Sequence, residues 1–357
     1  MIAERTLESI SGNQQDACFP VHDLRIDSRT VADGDVFFSV EKQIDLASVY
    51  IQQAIDAGAA AIVLDQSQVL PVIAGVKLIA IPSLHAKMGA IADKFYGMPS
   101  ANTCVVGITG TNGKTSCSHW IAQMWGRLSG PAAMVGTLGC DIFTDGKSVN
   151  NAMGTTGLTT GDVLSNHRIL HELRSKKVSL VAMEVSSHAL DQRRVDGIRF
   201  DTAIFTNLTR DHLDYHGDMR AYGEAKCKLF SCPSLKWALV NDDDSFSVEI
   251  KKNIQLENNH VNVLTYSLQN SLADIGVERY EVTKQGVVAA IRTPWGRGAL
   301  QSKYPGGFNL LNVLAVVGTL CSHGIDLQSA LTEVSQLQAV PGRTQIVSAD
   351  NDDVLVI

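Results

Sequence analysis

"TCVVGITGTNGKTSCSHWIAQMWGRL", residues 103–128, reads as an apolar strand, a glycine loop and a helix. In that order, the backbone N–H groups of the loop "GTNGKT" (110–115) and the helix N-terminus can cradle phosphate oxygens. The site then consists of Gly110, Thr111, Asn112, Gly113, Lys114, Thr115 and Ser116. Lys114 would reach the β- and γ-phosphates, and the Thr115 hydroxyl would hold Mg²⁺. Ile108 stands where the usual pattern has an earlier glycine. Such a loop indicates ATP or GTP and leaves the phosphate acceptor to other residues.

Outward from this stretch the alternation continues. "AMVGTLG" (133–139), "VSLVAMEVSS" (178–187), "TAIFTNL" (202–208) and "KWALVN" (236–241) read as strands, with a helix at "DVLSNHRILHELRSKK" (162–177). The expected fold class is α/β, with a mostly parallel sheet covered by helices on both faces. "YEVTKQGVVAAIRTPWGRGALQSKYPG" (280–306) reads as antiparallel strands, and "NLLNVLAVVGTLCSHG" (309–324) as a buried helix. Upstream, "GDVFFSV" (34–40), "AAIVLD" (60–65) and "KLIAIP" (77–82) are strands of a smaller α/β unit, with helices at 50–59 and 85–97. "GMPS" (97–100) marks a boundary. The expected domains are 1–100, 101–345 and a last piece, 346–357. "VLVI" (354–357) reads as a strand cut short, so a further domain is expected beyond it.

The 357 residues are 45% hydrophobic and 19% charged, enough for a normal core. A net charge of −7 argues against nucleic acid or an anionic membrane as the main partner. The seven cysteines are scattered and form no C-x-x-C pair, which points to a reducing cytoplasm rather than a disulfide framework or zinc site. The N-terminus lacks the apolar core of a signal peptide, and no run approaches the roughly 18 apolar residues of a membrane span.

Two strand ends carry acidic and histidine groups. Glu184 follows the apolar run of "LVAMEVSSHAL" (180–190), at the end of a strand where ligand sites lie. It can hold a cation near phosphate, or make a strand-end ion pair. "FTNLTRDHLDYHG" (205–217) offers Asp211, His212, Asp214 and His216. In "AYGEAKCKLF" (221–230), helical spacing places Tyr222, Lys226, Leu229 and Phe230 on one stripe and turns Lys228 away. A buried ammonium is costly, so Lys226 must deprotonate, pair with an anion such as Glu224, or escape to solvent. A neutral amine can also add CO₂ and become an anionic oxygen ligand suited to Mg²⁺.

"GITGTNGKT", "MEVSSHAL", "TNLTRDHLDYHG", "YGEAKCKLF", "GGFNLLN" and "PGR" occur in this order and spacing, which resembles the Mur ligases. The resemblance covers nearly the whole chain and is strongest over 103–231. It implies an N-terminal UDP-sugar domain, a central ATPase domain and a C-terminal Rossmann-like domain; the last would begin where "VLVI" stops. The implied activity is ATP-dependent addition of the third amino acid, with a lean to meso-diaminopimelate, to UDP-MurNAc-L-Ala-D-Glu. The route is an acyl phosphate, and the product serves peptidoglycan synthesis and the cell wall. Folylpolyglutamate synthase, a relative with similar ATPase motifs, is the alternative. A third reading is a fragment that binds nucleotide and UDP-sugar without turnover, and the chain as it stands is expected not to ligate. A cytoplasmic monomer is expected, with no nucleic-acid or membrane partner.

By the same resemblance, Lys114, Glu184, His212 and Lys226 carry the chemistry. Thr115 and Glu184 hold one Mg²⁺, and His212 with carbamylated Lys226 holds a second. Asn309 and Asn312 face the adenine, and Arg343 contacts phosphate. Ile26, Ser28, Thr159, Thr160, Ser186, Gln192 and Arg194 contact the UDP-sugar substrate. Thr155 with Thr156 is a rival for the threonine pair, and Arg193 a rival for Arg194. The sequence departs from the family at 41–50, where an Asp-Gly pair with its flanking Gly and His or Arg is not evident. It also departs at Leu158 and at Gln345.

Overall fold

The computed structural model describes residues 6–16, 18–68, 75–149, 157–283 and 285–343. Thr155, Thr156, Gln345 and the expected last piece, 346–357, lie outside the described residues. The chain forms two compact units. The first holds the described residues up to Asn102 together with Gly161–Glu172 and Gln192–Ile198. The second holds the described part of Thr103–Thr160, then Leu173–Asp191 and the described residues from Arg199 onward. Two segments expected in the second domain therefore pack within the first unit. They carry buried polar groups whose partners are in that unit, and no local pattern along the chain records this.

The first unit contains α1 (Glu8–Ser11), β1 (Leu24–Arg25), β2 (Val36–Ser39), α2 (Ile44–Asp56), β3 (Ala61–Asp65), β4 (Lys77–Ile81) and α3 (Leu84–Phe95). Its strands pair in parallel in the order β1-β2-β3-β4. Ala61 to Leu64 are all buried, which is why β3 reads as a continuous apolar run. In α3, Leu84, Met88, Ala92 and Phe95 return to one face every three or four residues and enter the core. Gly97, at φ 72°, and the following Pro99 stop this helix.

The second unit begins with β5 (Cys104–Thr109), α4 (Lys114–Leu128), β6 (Ala132–Gly136), β7 (Gly139–Thr144) and β8 (Lys147–Ser148). Helix α5 (Val163–Ser175) lies in the first unit up to Glu172. The second unit continues with β9 (Leu180–Glu184), α6 (Ser187–Asp191), β10 (Thr202–Phe205), α7 (Leu213–His216), α8 (Met219–Cys227), β11 (Trp237–Asn241), α9 (Ser247–Glu257) and β12 (Asn262–Ser267). Then come β13 (Ile275–Thr283), β14 (Gly286–Thr293), β15 (Gly296–Ser302), α10 (Gly307–Ser322) and α11 (Leu327–Val334).

The described strands of this unit make one sheet in the order β15-β14-β13-β12-β11-β10-β5-β9-β6-β7-β8. The middle, from β13 to β6, is parallel, and both ends are antiparallel. The chain leaves β5 toward β6 and β9 on one side and returns to β10 on the other. The loop after β5 therefore sits where strand order reverses, which in open α/β sheets is the ligand crevice. Helix α10 is almost wholly buried in a core shared with α4, which suits a helix that is apolar all round.

One expectation is corrected at α8. The helix ends at Cys227, so Leu229 and Phe230 are not on a helical stripe with Tyr222 and Lys226. Both are nevertheless buried, in the turn that follows. Apolar spacing does not distinguish a fourth helical turn from a buried turn.

Candidate functional site

Register sets the site. Ile108 of β5 lies opposite Glu184 of β9, and Thr109 lies opposite Phe205 of β10. All three strands therefore end at one level. Gly110, at φ 146°, and Gly113, at φ 88°, supply backbone shapes that side-chain-bearing residues rarely adopt. A Cβ on Gly110 would also collide with the Thr206 hydroxyl.

The loop is tied to the segment after β10. The Thr111 N–H donates to the Asn207 carbonyl at 2.9 Å, and the Asn112 N–H to Asn207 Oδ1 at 2.9 Å. The Thr206 hydroxyl donates to the Asn112 carbonyl at 2.5 Å, and the Thr209 N–H to Thr111 Oγ1 at 3.0 Å. Lys114 Nζ donates to the Gly110 and Thr111 carbonyls at 2.7 and 2.9 Å. Thr206, Asn207 and Thr209 carry no role in the sequence reading. Their signal was a run of polar residues at a strand exit.

Glu184 is 1% exposed. Its Oε1 accepts the Thr137 N–H at 2.9 Å, and its Oε2 accepts the Thr115 hydroxyl at 3.0 Å. The Thr137 hydroxyl lies 3.2 Å from both Glu184 Oε2 and Thr159 Oγ1. A Cβ on Gly136 would run into the Glu184 carboxylate, so that glycine makes room for it. Burial raises the Glu184 pKa, against the opposing pull of Thr137, Thr115 and Lys114. Burial likewise lowers the Lys114 pKa, while Glu184 and Asp211 oppose it and Arg343 adds to it. A carboxylate and a hydroxyl at this distance are hard oxygen donors, and a buried carboxylate without full neutralisation fits Mg²⁺.

Lys226 is 1% exposed, and its Nζ sits 4.3 Å from the centre of the Tyr222 ring. Burial, reinforced by Lys114 and opposed by Asp211, pushes its pKa down to about 6. The Tyr222 hydroxyl is 3.1 Å from Thr111 Oγ1 in the glycine loop, and the His212 ring is 6.1 Å from the Tyr222 ring. His212 is half-exposed, with φ 53°, and its Nε2 lies 3.5 Å from Asp211 Oδ2. The four expected metal residues thus fall into two pairs, Thr115 with Glu184 and His212 with Lys226 around Tyr222. Among the described residues, no three His, Cys, Asp or Glu side chains converge as a metal site. Lys228 pairs with Asp191 at 2.7 Å and is half-exposed.

A cavity of about 750 Å³ beside the loop is lined by Asn309, Asn312, Arg343, Ser116 and Thr159. A Cβ on Gly113 would come within 2.5 Å of Asn312 Oδ1, so the loop and α10 touch there. Asn309 Nδ2 donates to the Pro305 carbonyl at 2.8 Å. Thr160 is turned inward: its hydroxyl donates to the Glu184 carbonyl at 2.9 Å and accepts the Ser186 N–H at 3.1 Å. In the first unit, Ile26, Gln192 and Arg194 line a separate cavity of about 1280 Å³. Ser28 is not among its lining residues, and its hydroxyl donates to Gln53 Oε1 at 2.8 Å. Arg193 pairs with Asp196 at 3.1 Å.

The family model for the Mur ligase middle domain matches residues 108–320. The chain belongs to the Mur ligase family. It is 39% identical over 340 residues to the UDP-N-acetylmuramoyl-L-alanyl-D-glutamate–2,6-diaminopimelate ligase of Chromobacterium violaceum, covering 95% of this chain and 67% of that protein. The protein of the same name from Pseudomonas aeruginosa is 39% identical over 339 residues, covering 94% and 67%. A solved structure of a ligase of this name superposes with a TM-score of 0.83 at 28% identity, covering 98% of this chain and 70% of that one. This Mur ligase chain thus spans about two thirds of the length of the curated relatives it matches. Among its described residues no helix is long and apolar enough to cross a membrane.

Proposed function

We propose that the protein is the ATP-dependent ligase that joins meso-diaminopimelate to UDP-MurNAc-L-Ala-D-Glu in peptidoglycan synthesis. Family membership and the names of the curated relatives support the reaction class and the substrates. The observation that carries the reading is the juxtaposition, at the carboxyl ends of the central strands, of a glycine loop suited to phosphate, a buried carboxylate and a buried amine. A nucleotidase would need the first two; an amide ligase must also neutralise a second anion, the acceptor carboxylate.

The γ-phosphate lies against the loop N–H groups and Lys114, which must leave its carbonyl partners to reach it. The terminal carboxylate of the dipeptide attacks γ-phosphorus, the bond to ADP breaks, and an acyl phosphate forms. The incoming amine adds to the acyl carbon, loses a proton, and expels phosphate that carries one former carboxylate oxygen. Lys114 and Arg343 offset the charge that crowds the site, while Asn309 and Asn312 face the adenine. Thr115, Glu184, His212 and Lys226 would hold two Mg²⁺, which when bound would screen the phosphate oxygens.

Lys226 serves as its carbamate. Its neutral amine adds to the carbon of CO₂, an N–C bond forms as one C–O π bond opens, and a proton leaves to solvent. The low pKa supports this, because only the free amine can react. Ile26, Ser28, Thr159, Thr160, Ser186, Gln192 and Arg194 belong to the nucleotide-sugar site, Thr160 through its hold on Ser186. The protein acts in the cytoplasm as a monomer. The test is phosphate release by the full-length protein with ATP and the nucleotide-dipeptide, with diaminopimelate and lysine compared as the third substrate. Release that needs all three substrates and favours diaminopimelate supports the reading. Equal release with a folate acceptor and glutamate would favour a folylpolyglutamate synthase instead.

A further inference from the structure

Gln192 and Arg194 line the first unit's cavity from a segment, 192–198, that is neither helix nor strand. Two helices of the same unit grip its backbone. From α5, Asn166 Nδ2 donates to the Arg194 carbonyl at 2.9 Å and to the Gly161 carbonyl at 3.0 Å. The next residue, His167, meets the Asp196 carbonyl through Nε2 at 2.9 Å. A carbonyl only accepts, so the proton sits on Nε2. Both side chains are 0% exposed. From α3, Gly89 lies directly beneath the same carbonyl, where a Cβ would collide with Asp196. A Cβ on Gly197, at φ 83°, would fall 2.6 Å from the Gly89 carbonyl.

Burying two polar side chains at consecutive helix positions is unfavourable unless their donors are used. Here each places a donor on the 192–198 backbone. Within the segment, Arg193 holds a left-handed φ of 58°, a conformation that persists in a non-glycine residue only where its surroundings impose it. Arg194 Nε in turn donates to Gln192 Oε1 at 2.9 Å, so the two cavity-lining side chains are tied to each other.

We propose that Asn166 and His167 are positioning residues that pre-set Gln192 and Arg194 for an anionic nucleotide-sugar ligand. They act through the backbone of the recognition segment and do not touch the ligand. The inference rests on the functional reading above, which supplies the ligand.

The test titrates UDP-MurNAc-L-Ala-D-Glu into the wild-type protein and into Asn166→Leu, His167→Leu and His167→Gln by calorimetry. ATP affinity and the unfolding midpoint serve as controls. Each leucine variant should bind the nucleotide sugar about tenfold more weakly, with ATP affinity unchanged. His167→Gln should stay within about twofold of wild type, because its amide nitrogen can donate to the same carbonyl. Wild-type affinity in both leucine variants would overturn the inference, as would a glutamine variant as weak as His167→Leu.

If the leucine variants do not fold, Arg193→Val and Arg193→Asn decide at an exposed position. Both remove the charge, but valine resists the left-handed conformation that asparagine tolerates. The valine variant should bind about threefold more weakly than the asparagine variant; equal affinities would overturn the inference. Failure of the wild-type protein to bind the nucleotide sugar at all would overturn the functional reading, and this inference with it.

Discussion

Replacing Lys226 by methionine should make the protein more stable and abolish its activity. Methionine keeps the volume and the apolar stem but removes the amine. The ordinary pKa of this group is 10.5, and burial lowers it to about 6 in the folded chain. At pH 7 the unfolded chain therefore holds this proton and the folded chain does not. Removing a proton from a group of pKa 10.5 at pH 7 costs about 5 kcal/mol at roughly 1.36 kcal/mol per pH unit. Relaxation around the site reduces what is recovered, so a gain of about 2–4 kcal/mol is expected. The folded chain binds fewer protons than the unfolded chain between about pH 6 and pH 10.5. Wild-type stability should accordingly rise with pH across that window, and the penalty should be greatest below about pH 6. The methionine variant lacks this contribution, so its advantage should shrink as pH rises. Urea unfolding at several pH values from 6 to 9, in buffer free of bicarbonate and divalent cations, reads both effects. A variant less stable than wild type at pH 6, or an advantage independent of pH, would refute the reasoning.

Other substitutions separate the roles of neighbouring groups. Glu184→Gln should lower ligation at least about a hundredfold, on the scale of lost electrostatic stabilisation in active sites. The pKa of Glu184 is raised by burial, so its charge opposes folding increasingly as pH climbs through that value. Without divalent cations the glutamine variant should therefore match or exceed wild-type stability at pH 7 in denaturant melts. Gly110→Ala should lose nucleotide binding by fluorescence titration, because the methyl group meets Thr206 and φ 146° is disfavoured for alanine. Thr160→Val leaves the Ser186 N–H without its acceptor and should cost about 1–3 kcal/mol in urea unfolding, while Thr160→Ser should stay near wild type. Lys228→Ala should change stability by no more than about 0.5 kcal/mol and leave ligation intact, since its partner Asp191 is also solvent-exposed.

Features that depend on a local pattern were legible in the sequence. The strand, glycine loop and helix read at 103–128 are present as β5, a loop and α4, and the apolar runs at 61–64 and 180–183 marked buried strands. The position of Lys226 among apolar residues correctly signalled a buried amine, although the helix stops earlier than its stripe implied. What escaped depends on distant partners. Thr137 reaches Glu184 only because β6 and β9 pair in parallel, so nothing near Thr137 in the chain records the contact. Asn207 holds the glycine loop across a gap of 95 residues. Segment 161–172 belongs to the first unit because Val163 and Leu164 join its core and His171 meets the Tyr96 carbonyl there, and 192–198 because its backbone rests on Gly89 and on Asn166 and His167, pairings that periodicity does not encode. The inward bonds of Thr160 to the Glu184 carbonyl and the Ser186 N–H are likewise absent from any local pattern.

The most direct test follows one oxygen atom. The full-length protein is supplied with ATP, diaminopimelate and UDP-MurNAc-L-Ala-D-Glu labelled with ¹⁸O in its terminal carboxylate, and the released phosphate is weighed by mass spectrometry. An acyl phosphate requires one labelled oxygen to appear in phosphate for each amide bond formed. Phosphate free of label, or label transfer without dependence on the nucleotide-dipeptide, would contradict the account.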